Sequence, residues 1–195
     1  MRNTIIVGNT GCGKTTLSRQ LSIEDVDDGS KILIIDSLDE YGHKFVDYDT
    51  NTIKLLDLDE SMEFEFEKPV NILLLDDIDL NKDMAYMLIA KIFEYAEMYQ
   101  ISTIYIDDLL SYTLLECIND FEKFKDSFNL MVVTQSLNNF ENHYAIYKFF
   151  KEIIVMKISL LDIECLRDNY HIKKRSLNDC LDFGLRSSFN IYDLD

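Results

Sequence analysis

A glycine-rich segment near the start of the chain constrains the fold more than any other feature. Residues 8–15 read G-N-T-G-C-G-K-T and fit the pattern G-x-x-x-x-G-K-[ST] without departure. The apolar run Thr4–Val7 precedes the segment, and Leu17 and Leu21 follow it at helical spacing. A strand, a loop and a helix in this order let backbone N–H groups and the positive end of the helix dipole surround phosphate oxygens. The segment therefore predicts a site for a nucleoside triphosphate.

The predicted nucleotide site comprises this loop and the first turn of the helix after it. Its residues are Gly8, Asn9, Thr10, Gly11, Cys12, Gly13, Lys14, Thr15 and Thr16. We expect Lys14 to bridge the β- and γ-phosphates as a point charge, and we expect the Thr15 hydroxyl to bind Mg²⁺.

The size and composition of the chain argue for one domain. The chain has 195 residues, of which 47% are hydrophobic, so it can bury a core. We predict a single domain over 1–195, with a short acidic connector at 57–69 and a C-terminal appendage at 171–195. No apolar run is long enough to predict a membrane segment, and the one at the N-terminus is too short for a signal peptide. A cytoplasmic location is therefore expected.

Short apolar runs alternate with longer helical patterns, which is typical of a parallel sheet covered by helices. Several runs are apolar at consecutive positions, as in strands that are buried on both faces. The predicted strands are Thr4–Val7, Lys31–Asp36, Thr52–Leu56, Val70–Leu75, Ser102–Ile106, Leu130–Thr134 and Glu152–Lys157. The predicted helices are Lys14–Leu21, Lys82–Tyr99, Leu114–Phe128, Tyr144–Phe150 and Ser159–Tyr170. We therefore expect an α/β fold with a mostly parallel, twisted β-sheet flanked by helices.

Two apolar strands are each followed by a pair of aspartates, and either pair suits the magnesium shell of a bound triphosphate. One pair is Asp76 and Asp77, and the other is Asp107 and Asp108. The second pair is favoured because the next strand is followed by Gln135, whose amide is placed to touch the γ-phosphate or its attacking water. Asp107 is then assigned to the metal and Asp108 to the attacking water, while the other pair has a supporting role. We also expect the strand of Asp107 to lie beside the first strand.

The ordered set of motifs resembles the FtsK–HerA group of P-loop motor ATPases, and most closely its conjugative (type IV secretion) and viral genome-packaging members. The stretch 32–41 is similar to the second strand of that group, which ends in an aspartate and is followed by a Glu-Tyr pair. Residues 104–108 and 133–136 are similar to its Walker B strand and its glutamine motif, and 153–157 to its last strand. Asp108 is a departure, because the group usually has a glutamate at that position.

The resemblance implies an ATP-hydrolysing, DNA-translocating motor subunit with a RecA/ASCE-like P-loop NTPase core. It implies ATP and Mg²⁺ as cofactors, and Lys14, Asp108 and Gln135 as catalytic residues. It also implies a homo-oligomeric ring, with docking to a membrane or capsid partner as a further expectation. The formal net charge of −17 at pH 7 opposes contact with DNA, so such contact is expected through local basic loops or an assembled pore.

Two alternative functions remain open from the sequence. One is an AAA+-like nucleotide-gated switch or assembly factor that uses Asp76 and Asp77 as its acidic pair. The other is a small-molecule kinase, which needs a mobile lid rich in arginine over the phosphates. Arginines are few and scattered in this chain, so the kinase is the less favoured of the two.

Overall fold

A β-sheet with helices on both faces organises the protein. The computed structural model describes residues 3–55, 62–75, 80–107, 109–138, 140, 143–170 and 187–190. The strands of these residues are β1 (Thr4–Val7), β2 (Ile32–Asp36), β3 (Thr50–Lys54), β4 (Val70–Leu74), β5 (Thr103–Asp107), β6 (Asn129–Thr134), β7 (Glu152–Val155) and β8 (Ser187–Asn190). Their order across the sheet is β3-β4-β2-β5-β6-β1-β7-β8. All neighbours from β3 to β7 are parallel, which confirms the predicted fold, and β8 is antiparallel to β7.

The helices in the described residues are α1 (Lys14–Asp27), α2 (Lys82–Met98), α3 (Leu109–Glu116), α4 (His143–Phe149) and α5 (Leu160–Tyr170). Short 3₁₀ helices cover Gly42–Lys44 and Ile118–Phe124. Helix α1 packs on one face of the sheet, where Leu17 contacts Ile6. Helices α2 to α5 belong to the larger hydrophobic core on the other face. None of the described helices is long and apolar enough to cross a bilayer.

Helix α1 is longer than predicted, because it continues past Leu21 to Asp27. Ser22, the first residue beyond the predicted end, is fully buried. Its hydroxyl donates to the Arg19 carbonyl at 2.8 Å, so it is satisfied inside the helix and does not terminate it. The remaining predicted strand and helix boundaries shift by one or two residues, apart from the segment described next.

The predicted helix Leu114–Phe128 is wrong as a single element. Helix α3 begins earlier and ends at Glu116, and the 3₁₀ helix Ile118–Phe124 follows it. Buried Ile118, Phe121 and Phe124 are spaced three residues apart. A 3₁₀ helix has three residues per turn, so this spacing places all of them on one face toward the core. The apolar residues of this segment lie in the core, and their period fits a 3₁₀ helix better than an α-helix.

The described part of the predicted acidic connector, residues 62–69, leads into β4 and forms no strand, but it is half-buried. Phe64 and Phe66 are fully buried there, while Glu63, Glu65 and Glu67 are exposed. The two phenyl rings stack with a centroid distance of 5.5 Å, and they contact one tyrosine of α2 and the tyrosine that caps its C-terminus. The alternation of phenylalanine and glutamate makes this segment extended and half-buried, even though no strand forms.

Part of the predicted C-terminal appendage belongs to the sheet. Strand β8 extends the sheet beyond β7, with Phe189 level with Ile153. The sequence analysis did not predict this strand. The rest of the predicted appendage, at 171–186 and 191–195, lies outside the described residues, as does 57–61 of the connector.

Candidate nucleotide and metal site

The phosphate loop is held against the ends of two neighbouring strands. The N–H of Gly8 donates to the Thr134 carbonyl at 3.3 Å, and the N–H of Asn9 donates to the Lys157 carbonyl at 2.6 Å. A Cβ atom at Gly8 would lie 2.8 Å from Cys12 Sγ, closer than real Cβ atoms approach. Glycine is therefore required at the first position of the loop so that the chain can curl back on itself.

The helix after the loop begins with an uncompensated positive end. Its N-cap, Gly13, has φ 92°, a left-handed conformation that glycine adopts without strain. Among the described residues no side chain caps this end, and the first turn of α1 contains no acidic residue. The Nζ atom of Lys14 donates to the Asn9 carbonyl at 3.2 Å, so the ammonium group stays against the loop. The loop, the helix end and Lys14 together form a cradle suited to phosphate oxygens.

Strand β6 lies between β1 and β5, so the expectation that the strand of Asp107 lies beside the first strand is wrong. The register still aligns the strand ends, because Val7 is level with Thr134 and Asp107 is level with Val133. Two strand spacings separate β1 from β5 by about 10 Å. This separation leaves room for a triphosphate and its metal ion between the loop and the carboxylate.

One small cavity brings together the two residues predicted to bind the metal ion. Its lining residues are Thr15, Asp36, Ser37, Leu38, Glu40 and Asp107. Among the described residues no group of three His, Cys, Asp or Glu side chains is arranged to hold a metal. Thr15 and Asp107 nevertheless fit Mg²⁺, because this ion is usually held by one or two protein oxygens, substrate phosphates and water.

Asp36, at the end of β2, organises the turn beside this cavity. Its side chain is buried, and it accepts hydrogen bonds from the backbone N–H groups of Leu38 and Glu40, each at 3.2 Å. It also accepts one from the Tyr41 N–H at 2.9 Å. The residues from 36 to 41 are called the Asp36 turn below. Three backbone donors compensate the buried carboxylate, which therefore acts as a structural anchor.

The Asp36 turn places the Tyr41 hydroxyl against Asp107. This hydroxyl donates to Asp107 Oδ2 at 3.0 Å and lies 2.9 Å from Ser18 Oγ. Burial, reinforced by the negative charge of Asp107, raises the pKa of Tyr41 far above its usual value. Neither Tyr41 nor Ser18 was predicted from the sequence as a site residue. The sequence signal for Tyr41 was the Glu-Tyr pair after the second strand. That pair marks the position of Tyr41 but does not indicate that its hydroxyl contacts Asp107.

Gln135 directly follows β6, between the ends of β1 and β5, and its side chain is exposed. The next residue, Ser136, donates its hydroxyl proton to Asp162, a buried carboxylate in the first turn of α5. Asp162 also accepts a hydrogen bond from Ser159 Oγ at 2.6 Å. Asp162 thus anchors the loop that carries Gln135 to α5. The Ser-x-x-Asp spacing of a helix N-terminus was the available sequence signal for the contact between Ser159 and Asp162.

Three acidic residues of the sequence analysis lie outside the described residues. They are Asp108, assigned to the attacking water, and the alternative pair Asp76 and Asp77. The assignments of Asp107, Asp108 and Gln135 to particular steps therefore remain predictions.

The sequence from residue 2 to residue 178 matches the family described as helicase HerA, central domain. The chain belongs to this family. The predicted membership of the FtsK–HerA group is thereby confirmed. No curated protein matches the chain.

Solved structures show the same fold across nearly the whole chain. The genome packaging NTPase B204 from Sulfolobus turreted icosahedral virus 2, in complex with AMPPCP, is 15% identical with a TM-score of 0.67, covering 97% of this chain and 92% of B204. VirB4 of Thermoanaerobacter pseudethanolicus is 9% identical with a TM-score of 0.69, covering 97% of this chain and 88% of VirB4. At these identities the likeness establishes the P-loop NTPase fold and nothing finer.

Proposed function

We propose that this HerA-family chain is an ATP-hydrolysing, DNA-translocating motor subunit of the genome-packaging or conjugative-transfer type. The observation that carries the proposal is the cavity shared by Thr15 and Asp107 at the edge of the phosphate cradle. A loop that grips phosphates and a carboxylate that holds Mg²⁺ are both needed for hydrolysis, and the fold brings them together.

Each residue of the site has a proposed role. The loop and first turn, residues 8–16, bind the triphosphate, and Lys14 contacts its β- and γ-phosphates. Thr15 and Asp107 hold Mg²⁺, which neutralises charge that develops on the phosphate oxygens. Asp108 accepts a proton from the water that attacks the γ-phosphorus, as the bond from that phosphorus to the bridging oxygen of ADP breaks. Gln135 orients the same water or the γ-phosphate.

The proposed partners are further copies of this chain, arranged as a ring in the cytoplasm, and DNA. B204 is a genome packaging NTPase, and we extend that activity to this chain. With a net charge of −17, the surface as a whole repels DNA. Contact therefore requires local basic loops or a pore assembled from several subunits. Docking of the ring to a capsid or membrane partner would direct the transfer.

The test is steady-state ATP turnover with and without double-stranded DNA, measured over a range of salt concentrations. We expect stimulation by DNA that declines as salt rises, because phosphate contacts release counterions. Turnover that is indifferent to DNA at low salt, in a folded and ATP-binding protein, contradicts the DNA-motor proposal.

Lys14→Ala tests whether Lys14 is needed for nucleotide binding in a protein that still folds. We expect it to abolish ATP binding and hydrolysis together, because Lys14 supplies the charge that meets the phosphates. Lys82→Ala is a matched control, since Lys82 also begins a helix, but its side chain is exposed and forms an ion pair with Glu116 at 2.7 Å. Lys82→Ala should keep full ATP binding. Equal binding by the two variants would contradict the assigned site.

Membership of the HerA family disfavours the AAA+-like switch and the small-molecule kinase. Paired alanine variants test the first alternative directly. Substitutions at Asp107 or Asp108 should abolish turnover if the proposal holds. Greater loss with substitutions at Asp76 or Asp77 would favour the switch.

A further inference from the structure

The hydrogen bond between Tyr41 and Asp107 lies at the edge of the proposed metal site. Asp107 is only 9% exposed and Tyr41 only 1% exposed, so water does not compete strongly for the contact. The two residues are far apart in sequence and meet because the Asp36 turn returns the chain toward the end of β5.

The direction of this hydrogen bond follows from the available protons. A phenol has one proton, and an ionised carboxylate can only accept. Tyr41 therefore donates to Asp107 Oδ2, and the bond of 2.9 Å between the two hydroxyl groups is donated by Ser18. A directed chain runs from Ser18 in α1, through Tyr41, to Asp107 at the end of β5.

Tyr41 is itself held rigidly on three sides. Its N–H donates to Asp36, and its ring packs in the cluster that includes Ile34 and Phe45. The guanidinium of Arg19 lies 5.9 Å from the centre of the ring and donates to the Glu40 carbonyl at 3.1 Å. The phenol therefore meets Asp107 with little conformational freedom left to lose.

We infer that Tyr41 is a positioning residue for Mg²⁺, acting through Asp107. By fixing Oδ2, the phenol orients the carboxylate in the cavity it shares with Thr15 before the metal arrives. This inference rests on the proposed function, because it assumes that Asp107 serves the metal ion of a bound triphosphate. Ser18 supports the same orientation by holding the phenol oxygen.

The test compares Tyr41→Phe with the unaltered protein in binding to AMPPCP, an ATP analogue, titrated at a series of Mg²⁺ concentrations and again with EDTA. We expect AMPPCP affinity in EDTA to stay unchanged. The Mg²⁺ concentration that gives half of the metal-dependent gain in affinity should rise about tenfold, the lower end of the range for groups that orient metal ligands.

Tyr105→Phe is the matched control. Tyr105 is also buried, and it donates to Asp25 at 2.7 Å, but neither residue lines the cavity of Thr15 and Asp107. The Tyr105→Phe protein should lose the same kind of hydrogen bond, and its AMPPCP affinity should depend on Mg²⁺ as in the unaltered protein. A Tyr41→Phe protein whose Mg²⁺ dependence matches that of Tyr105→Phe would overturn the inference.

Ser18→Ala keeps the inference testable if Tyr41→Phe does not fold. It removes the donor to the phenol oxygen, so it should shift the Mg²⁺ dependence in the same direction by a smaller factor. A folded Ser18→Ala protein with no shift would overturn the inference in that case. Failure of the proposed function looks different, because the unaltered protein would then gain no AMPPCP affinity from Mg²⁺ at all.

Discussion

Two buried tyrosines donate hydrogen bonds to aspartates at opposite ends of the same sheet. Tyr41 donates to Asp107 at 3.0 Å at the carboxyl ends of the strands. Tyr105 donates to Asp25 at 2.7 Å near the opposite edge, where the first residues of several strands line the surrounding cavity. Burial raises the pKa of both phenols well above the usual value, so each stays a donor at neutral pH.

The two pairs have the same chemistry and different surroundings. Asp107 ends β5 beside the phosphate loop, whereas Asp25 lies near the end of α1, at the edge of the sheet away from the loop. Helix α1 connects the two ends, because it begins at the loop and contributes Ser18 to one pair and Asp25 to the other. In open α/β sheets ligands bind outside the carboxyl ends of the strands. The two hydrogen bonds are alike, so we distinguish the pairs by their position. The pair at the carboxyl ends is expected to serve the proposed nucleotide site, and the other pair is expected to stabilise the fold.

The largest expected difference between the two ends is in turnover. Asp107→Asn should lower ATP turnover at least about 100-fold, as loss of a preorganised electrostatic group does in other active sites. Asp25→Asn keeps an oxygen that can accept from Tyr105, so it should keep turnover within about twofold, the change expected when no transition-state contact is lost. Steady-state hydrolysis at saturating Mg²⁺ measures both. Comparable losses of turnover in Asp107→Asn and Asp25→Asn would contradict the assignment of function to the carboxyl ends of the strands.

Gln135→Ala tests the proposed site at the carboxyl ends of the strands without removing a charge. We expect turnover to fall at least about tenfold with AMPPCP affinity almost unchanged, because the proposed role of Gln135 is to act on the γ-phosphate or the water in the transition state. Gln20→Ala removes an exposed amide from α1, where it donates to Glu24 at 2.9 Å, and should leave both quantities unaltered. A loss of affinity as large as the loss of turnover in Gln135→Ala would assign Gln135 to binding alone.

The two phenol substitutions should differ in metal response but agree in stability. Tyr41→Phe and Tyr105→Phe each remove a hydrogen bond from a buried phenol to a carboxylate, which costs about 1.5–3 kcal/mol of unfolding free energy. Urea denaturation of the two proteins at one pH measures the cost. A much smaller cost for Tyr105→Phe would mean that the amino-end pair is not the structural equivalent of the other.

The sequence was sufficient to predict the loop, the strand of Asp107 and the loop of Gln135, because each is a local pattern of apolar and polar residues. It was not sufficient for Tyr41, whose partner Asp107 lies 66 positions away and is reached only through the folded Asp36 turn. The order of β1, β6 and β5 was missed for the same reason, since local patterns do not determine which strands are neighbours. The burial of Phe64 and Phe66 was not predicted, because the glutamates beside them make the segment acidic overall.

The smallest expected effect comes from two buried serines one turn apart in α1. Ser18 bonds the Tyr41 hydroxyl at 2.9 Å, whereas Ser22 donates to the Arg19 carbonyl of its own helix at 2.8 Å. Ser18→Ala should cost about 1 kcal/mol of unfolding free energy, because it removes a buried tertiary hydrogen bond. Ser22→Ala should be within about 0.5 kcal/mol of the unaltered protein, because the better helix propensity of alanine offsets the lost local bond. Urea denaturation resolves this difference. Equal costs would mean that the Ser18 bond to Tyr41 adds nothing to what a local helical bond provides, and the pair at the carboxyl ends would then depend on Tyr41 and Asp107 alone.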